Sequence, residues 1–190
     1  MSTLAPLMTV NKFAAFVARP ENADRWFELE RGEIVELPPP KKPHGVVCGN
    51  VARILGNHAV ATKSGYVTTN DAGYITARDP DSVRGPDVAY WSDSELNAVR
   101  DPEYTDTPPV VAVEVLSPDD RINRVIRKVN EYLGSGVIEV WIIDPAARDV
   151  AIHRAGAAPL FLSERDELNG GTTLPGFRSA VSEFFHALAN

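Results

Sequence analysis

Residues Val110 to Leu116 read Val-Val-Ala-Val-Glu-Val-Leu and are closed by Ser117-Pro118. A nearly unbroken apolar run of this length is the pattern of a central strand covered on both faces. Its one ionisable residue, Glu114, constrains everything around it. Burying an unpaired carboxylate costs several kcal/mol even after relaxation, roughly the whole net stability of a domain. Any fold built on this strand must therefore give Glu114 a basic partner, a metal ion, or a position at the open end of the strand.

The flanking segments supply the rest of an α/β architecture. Asp119 to Gly134 carries Ile122, Val125, Ile126, Val129, Tyr132 and Leu133 at helical spacing, and Val137 to Ile143 is a second apolar strand. Together with the central run they predict a strand-helix-strand crossover from Val110 to Ile143. Upstream, Thr9 to Ala18 reads as a short helix. Trp26–Glu30 and Glu33–Leu37 read as a hairpin across Arg31-Gly32, although arginine is a poor first turn residue. Pro38-Pro39-Pro40 and Lys41-Lys42-Pro43 form a loop before a helix from His44 to about Thr62. Tyr66–Thr69, Gly73–Ala77 and Asp87–Trp91 are short β-prone runs. Val150–His153 and Leu160–Leu162 read as edge strands, and Ala180 to Ala189 as a closing helix. The expectation is a mixed β-sheet flanked by helices, with an additional N-terminal β-hairpin and C-terminal strands.

The 190 residues, 44% of them hydrophobic, are enough to bury one ordinary core, and a single domain over 1–190 is expected. The net charge of −7 is unlike that of a typical nucleic-acid-binding domain. The acidity is uneven, however: between Asp79 and Asp106 eight acidic residues stand against Arg84 and Arg100, so a local basic track elsewhere remains open. No apolar stretch approaches the roughly 18 residues of a membrane span, and Met1 to Val10 has neither the basic nor the long apolar region of a secretory signal. Cys48 is the lone cysteine, which excludes an intramolecular disulfide and fits a reducing cytoplasm.

Few residues are placed to carry chemistry. Asp87 follows Pro86 and opens the run Val88-Ala89-Tyr90-Trp91. If that strand lies beside the Glu114 strand, two carboxylates converge and call for a cation, for which Mg²⁺ is the hard ion of choice. Lys128 lies on the edge of the apolar helical stripe, next to Tyr132, and its helix follows the Glu114 strand after a very short turn. An ammonium there can reach back over the strand; equally, it can be a solvated lysine lying along an apolar face. Glu33, after the hairpin glycine, and His44, opening a helix beside the proline-rich loop, are weaker candidates. No P-loop, GxGxxG, GxSxG or HExxH motif occurs, and the four histidines and one cysteine show no zinc spacing.

Taken together, several segments resemble the Uma-two family. They are Phe27-Glu28-Leu29-Glu30-Arg31-Gly32-Glu33-Ile34-Val35-Glu36, His44, Arg84-Gly85-Pro86-Asp87-Val88-Ala89, and Val113-Glu114-Val115-Leu116-Ser117-Pro118-Asp119-Asp120-Arg121. Lys128 with Tyr132, Gly136-Val137-Ile138-Glu139-Val140-Trp141-Ile142-Ile143-Asp144-Pro145 and Leu174-Pro175-Gly176-Phe177 extend the likeness over nearly the whole chain. That family is assigned to the PD-(D/E)xK nuclease superfamily, so the resemblance implies a restriction-endonuclease-like fold and a metal-dependent endonuclease hydrolysing DNA phosphodiester bonds.

The superfamily's Pro-Asp falls on Pro86-Asp87 and its second acidic position on Glu114. Its lysine two residues later is replaced by Leu116, and the resemblance implies that Lys128 on the following helix takes the role. Glu33 and His44 are the candidates for the early acidic position. Asp87, Glu114 and the Val115 carbonyl would hold Mg²⁺ or Mn²⁺. DNA would be contacted through Lys41, Lys42, Arg121, Arg124 and Arg127, and the resemblance also implies a homodimer. An alternative is a non-catalytic module of the same fold that binds nucleic acid or a protein partner. Leu116 and the net charge favour the module; a carboxylate kept in a core strand favours catalysis.

Overall fold

The computed structural model describes residues 7–70, 72–92, 104–118 and 120–188. Asp93, Glu95, Arg100, Asp101 and Glu103 of the acidic stretch, Asp119 at the expected helix start, and Ala189 lie outside the described residues. In chain order the elements are α1 (Val10–Val17), the hairpin β1 (Trp26–Glu30) and β2 (Glu33–Leu37), and α2 (Lys42–Thr62). Then come β3 (Gly65–Thr69), β4 (Tyr74–Ala77), β5 (Ser82–Arg84), β6 (Val88–Ser92) and β7 (Val111–Val115). The remainder is α3 (Ile122–Ser135), β8 (Glu139–Asp144), β9 (Asp149–His153), β10 (Leu160–Ser163), β11 (Glu167–Asn169) and β12 (Arg178–Ala180).

The apolar run does form a central strand. A six-stranded mixed sheet has the order β10-β9-β8-β7-β6-β3, with β7 and β8 parallel and joined by α3, the crossover the sequence predicts. Alternation along β7 sends its side chains to two cores. Val111, Val113 and Val115 join Val47, Val51, Leu55 and Ala59 of α2, with Trp141 and Ile143. Ala112 joins Val129 and Tyr132 of α3, with Val140 and Ile142. Glu114 belongs by period to the α3 side.

The hairpin does more than decorate this sheet. β1 pairs with both β2 and β5, forming a second sheet of order β2-β1-β5-β4 under α1, whose Val10 and Phe13 pack on Leu29, Ile75 and Val83. Arg31 (φ +51°) and Gly32 (φ +79°) both sit in the left-handed region, as a two-residue type I′ turn demands, so the fold accepts the strained arginine.

Some expectations need correction. Strand β5 is missed because three residues between turns carry too short a pattern, and β11 and β12 escape for the same reason. The closing helix expected over Ala180–Ala189 is strand β12 followed by a 3-10 turn, Val181–Phe185. It ends where His186 leaves helical geometry and Ala187 turns left-handed (φ +66°). Its apolar spacing reflects Val181, Phe184 and Phe185 filling the α2-side core. On α3, Ile122 and Ile126 are solvent-exposed although they share the helical pattern. Among the described residues no helix is long and apolar enough to cross a membrane.

Candidate active site

Strand register brings the two carboxylates together. β6 and β7 are antiparallel with Val88 opposite Val113, so Asp87, in the bend just before β6, comes to the end of β7 that carries Glu114, and both line one cleft. The Val115 N–H donates to Asp87 Oδ2 at 2.6 Å, which holds Asp87 at this strand end.

Helix α3 closes over the same point. Lys128 Nζ donates to both Glu114 oxygens at 3.1 and 2.9 Å, and Tyr132 donates its hydroxyl to Glu114 Oε1 at 2.6 Å. The lysine on the helix thus reaches the glutamate on the strand, at the spacing the sequence suggests. Lys128 Nζ also lies 3.0 Å from Glu28 Oε1, so one ammonium bridges the two carboxylates.

Glu28 is the site residue that sequence reasoning passes over. It lies on β1 at 1% exposure, and its Oε2 accepts from Arg84 Nη1 at 2.9 Å, with Arg124 Nη2 at 3.4 Å. Arg84, also 1% exposed, donates in addition to Glu131 Oε2 through Nε and Nη2 and lies 3.3 Å from Glu30. Thr76 completes the network by donating to Glu131. One fully buried guanidinium thus ties β1, β5 and α3 together and shares Glu28 with Lys128. For Arg84 alone the sequence carries a signal, since the arginine directly precedes the Gly-Pro turn into Asp87; nothing comparable marks Glu28.

The electrostatics follow from this crowding. Burial pushes Glu114 up to about 7, reinforced by Asp87 and Glu28 and opposed by Lys128. Burial alone would pull Lys128 down, but Glu114, Glu28 and Asp87 more than offset it and hold the ammonium charged. Glu28 stays below the usual carboxylate range because Lys128 and Arg84 outweigh its desolvation. Burial and the neighbouring Glu114 keep the Tyr132 phenol protonated.

A stability prediction follows. Glu114 binds its proton more tightly folded than unfolded, so its ionisation costs stability: the cost is absent below about 4.5 and complete above about 7. Glu28 acts in the opposite sense, and only below the ordinary value of 4.5. Thermal unfolding should therefore show wild type losing stability relative to Glu114→Gln as pH rises from about 4.5 to about 7. Parallel pH profiles for the two proteins would contradict this picture of Glu114.

Asp87, Glu114, Val115, Lys128 and His44 all line one cleft of about 420 Å³. Its other walls are Trp26, the proline loop Pro38–Pro40 and the first turns of α2. His44 Nε2 is 3.2 Å from Asp87 Oδ2. Glu33 is not brought there: it is exposed on the hairpin, paired across the turn with Glu30. Of the expected basic contacts, Lys41 and Arg124 line the cleft, whereas Lys42, Arg121 and Arg127 are exposed and outside its lining.

Comparison with known proteins gives two findings. A family model described as "Uma2: Putative restriction endonuclease" matches residues 13–182. Among solved structures, a "putative nuclease belonging to DUF820" from Anabaena variabilis is similar at a TM-score of 0.77 and 17% identity, over 94% of this chain and 97% of that one. At that identity the likeness shows a shared fold. No curated protein matches the chain.

Proposed function

The chain belongs to the Uma2 family, and from that premise we propose that it is a metal-dependent endonuclease hydrolysing DNA phosphodiester bonds in the cleft of Asp87 and Glu114. The observation that carries the reading is the convergence of these two carboxylates in one cleft at the end of β7, with Asp87 held by the Val115 N–H and Lys128 bonded to Glu114.

The donor set fits a hard divalent cation. Two carboxylates, Asp87 and Glu114, face the cleft, and repulsion from Asp87 and from the buried Glu28 contributes to raising Glu114. Each carboxylate oxygen has two lone pairs, so Glu114 can keep Lys128 and Tyr132 and still face an ion. Asp87, Glu114 and the Val115 carbonyl would hold Mg²⁺ or Mn²⁺. Bound there, the ion would lower the pKa of a water and neutralise charge on the scissile phosphate.

The chain's own groups have separable tasks. Tyr132 and Lys128 fix the Glu114 carboxylate. Lys128, kept charged by Glu28, supplies positive charge where negative charge grows on phosphorus oxygens. The Val115 N–H orients Asp87. Trp26 and the proline loop form a wall against which a nucleotide can pack. Glu114→Gln should abolish cleavage of duplex DNA while leaving the protein folded, as judged by circular dichroism. An active Glu114→Gln protein would remove Glu114 from the chemistry.

DNA itself would be held by its backbone. Engagement of Lys41, Lys42, Arg121, Arg124 and Arg127 gives a log–log salt slope of about −4 to −5 for duplex binding, at about 0.9 per phosphate. A slope near zero would point away from a polyanionic substrate. In this reading the protein works in the cytoplasm as a homodimer, each copy cutting one strand.

A second reading, the non-catalytic module, is favoured by one observation: Lys128 and Tyr132 already satisfy Glu114. Metal-independent DNA binding without cleavage would decide for it.

A further inference from the structure

His44 and Cys48 are four residues apart in the first turns of α2, so their side chains share one face of the helix. While Val47 and Val51 turn into the core, His44 and Cys48 line the cleft. Cys48 Sγ lies 3.5 Å from His44 Nδ1, and His44 Nε2 lies 3.2 Å from Asp87 Oδ2. With one ligand atom taken from each residue, the three donors all lie within 4.8 Å of one another. Neither His44 nor Cys48 takes part in the chemistry proposed above.

We propose that Cys48, His44 and Asp87 form a second metal site, one that takes a thiophilic ion of the Zn²⁺ class and thereby withdraws Asp87 from Glu114. Zinc binds thiolate at about 2.3 Å and imidazole or carboxylate at about 2.0–2.2 Å, so two donors on one tetrahedral ion stand about 3.4–3.6 Å apart. Cys48 and Asp87 flank opposite nitrogens of the His44 ring, so only one of the two close contacts can become an edge of the shell, and the three donors start within 4.8 Å rather than at the final spacing. Side-chain rotation of Cys48 and Asp87 toward one ring nitrogen of His44 completes the set. The fourth position opens on the cleft, where water can enter.

Chemistry separates this site from the Asp87–Glu114 pair. Thiolate and imidazole select zinc-like ions, while Mg²⁺ requires oxygen donors in near-octahedral array. The side chains of His44 and Asp87 are 14% and 13% exposed, enough to admit an ion while shielding it from bulk solvent. Asp87 cannot serve both ions fully. The consequence, which rests on the nuclease reading, is that a thiophilic ion opposes Mg²⁺-supported hydrolysis.

The test is spectroscopic and needs no activity. Cd²⁺, the optical stand-in for Zn²⁺, is titrated into the metal-free full chain, and the ultraviolet thiolate-to-cadmium band is recorded. Cys48 is the chain's single cysteine, so any band reports that residue. The expected result is a saturable band at one ion per chain, displaced by Zn²⁺ and untouched by excess Mg²⁺. His44→Ala and Asp87→Asn each keep the thiol but should weaken Cd²⁺ binding at least about tenfold, a scale reached even by changes outside the ligand shell. Unfolding curves on both variants confirm that they are folded.

Absence of a saturable band, or equal affinity in wild type and both variants, would overturn the site, the latter leaving only a lone thiol. The two readings fail separately. A band without DNA cleavage sinks the nuclease and keeps the metal site; Mg²⁺-dependent cleavage without a band does the reverse. In an active protein, Cys48→Ser should retain the basal rate and lose inhibition by Zn²⁺. Unchanged inhibition in Cys48→Ser would count against the site.

Discussion

Arg84→Met is expected to lower the unfolding free energy by about 3–5 kcal/mol, the usual result of removing one partner from a buried ionic network. Arg84 is 1% exposed and meets Glu28, Glu30 and Glu131 at once. Methionine preserves much of the volume but strands Glu28, whose remaining cations are Lys128 and the more distant Arg124. Lysine should rescue poorly, since an ammonium cannot reproduce a fork that meets several carboxylates in fixed geometry. Urea denaturation of the three proteins measures this directly. A loss below about 1 kcal/mol, the scale of a surface pair, would mean that Arg84 does not anchor the network.

The second large effect concerns the displaced lysine. Lys128→Ala should reduce DNA cleavage by about 10²–10³-fold, the scale of removing one donor that stabilises transition-state charge. It also leaves Glu114 and Glu28 facing each other without the ammonium between them, so rates must be normalised to folded protein. Leu116 lies two residues beyond Glu114, on the same side of the strand by its period of two, and lines the same cleft. Adding Leu116→Lys to Lys128→Ala should therefore recover part of the lost rate. A double variant no better than Lys128→Ala would mean that the helix, and not merely the charge, is required.

What the sequence revealed, and what it hid, can be argued from three glutamates. Glu114 was legible because a carboxylate in an unbroken apolar run contradicts its surroundings, and the contradiction resolves at a strand end beside Asp87 and Lys128. Glu139 gives nearly the same signal in the next apolar run, yet its oxygens accept from Trp141 Nε1, Arg154 and Thr173, which satisfy it. The pattern alone does not separate the two; the neighbours do. Glu28 gave no signal at all. It sits in an alternating hairpin strand, where a glutamate reads as solvent-facing, and it is buried only because β5 and α3 close over it.

The fold was read more fully than the site. Periodicity carried α2, α3 and strands β6 to β8, since each buries a long face. It failed at β5, β11, β12 and the chain end, where three to five residues hold their shape through distant partners. The resemblance offers Glu33, with His44, for the early acidic position. The residue brought to Lys128 from the hairpin is instead Glu28, on the preceding strand, and only the packing of two sheets shows which.

The most direct measurement is nicking of supercoiled plasmid at low salt by wild type and Asp87→Ala, with Mg²⁺ or Mn²⁺ and with chelator. The account predicts cleavage by wild type that requires the metal, and none by Asp87→Ala. Cleavage that persists in chelator, or in Asp87→Ala at the wild-type rate, would contradict a metal site built on Asp87 and Glu114.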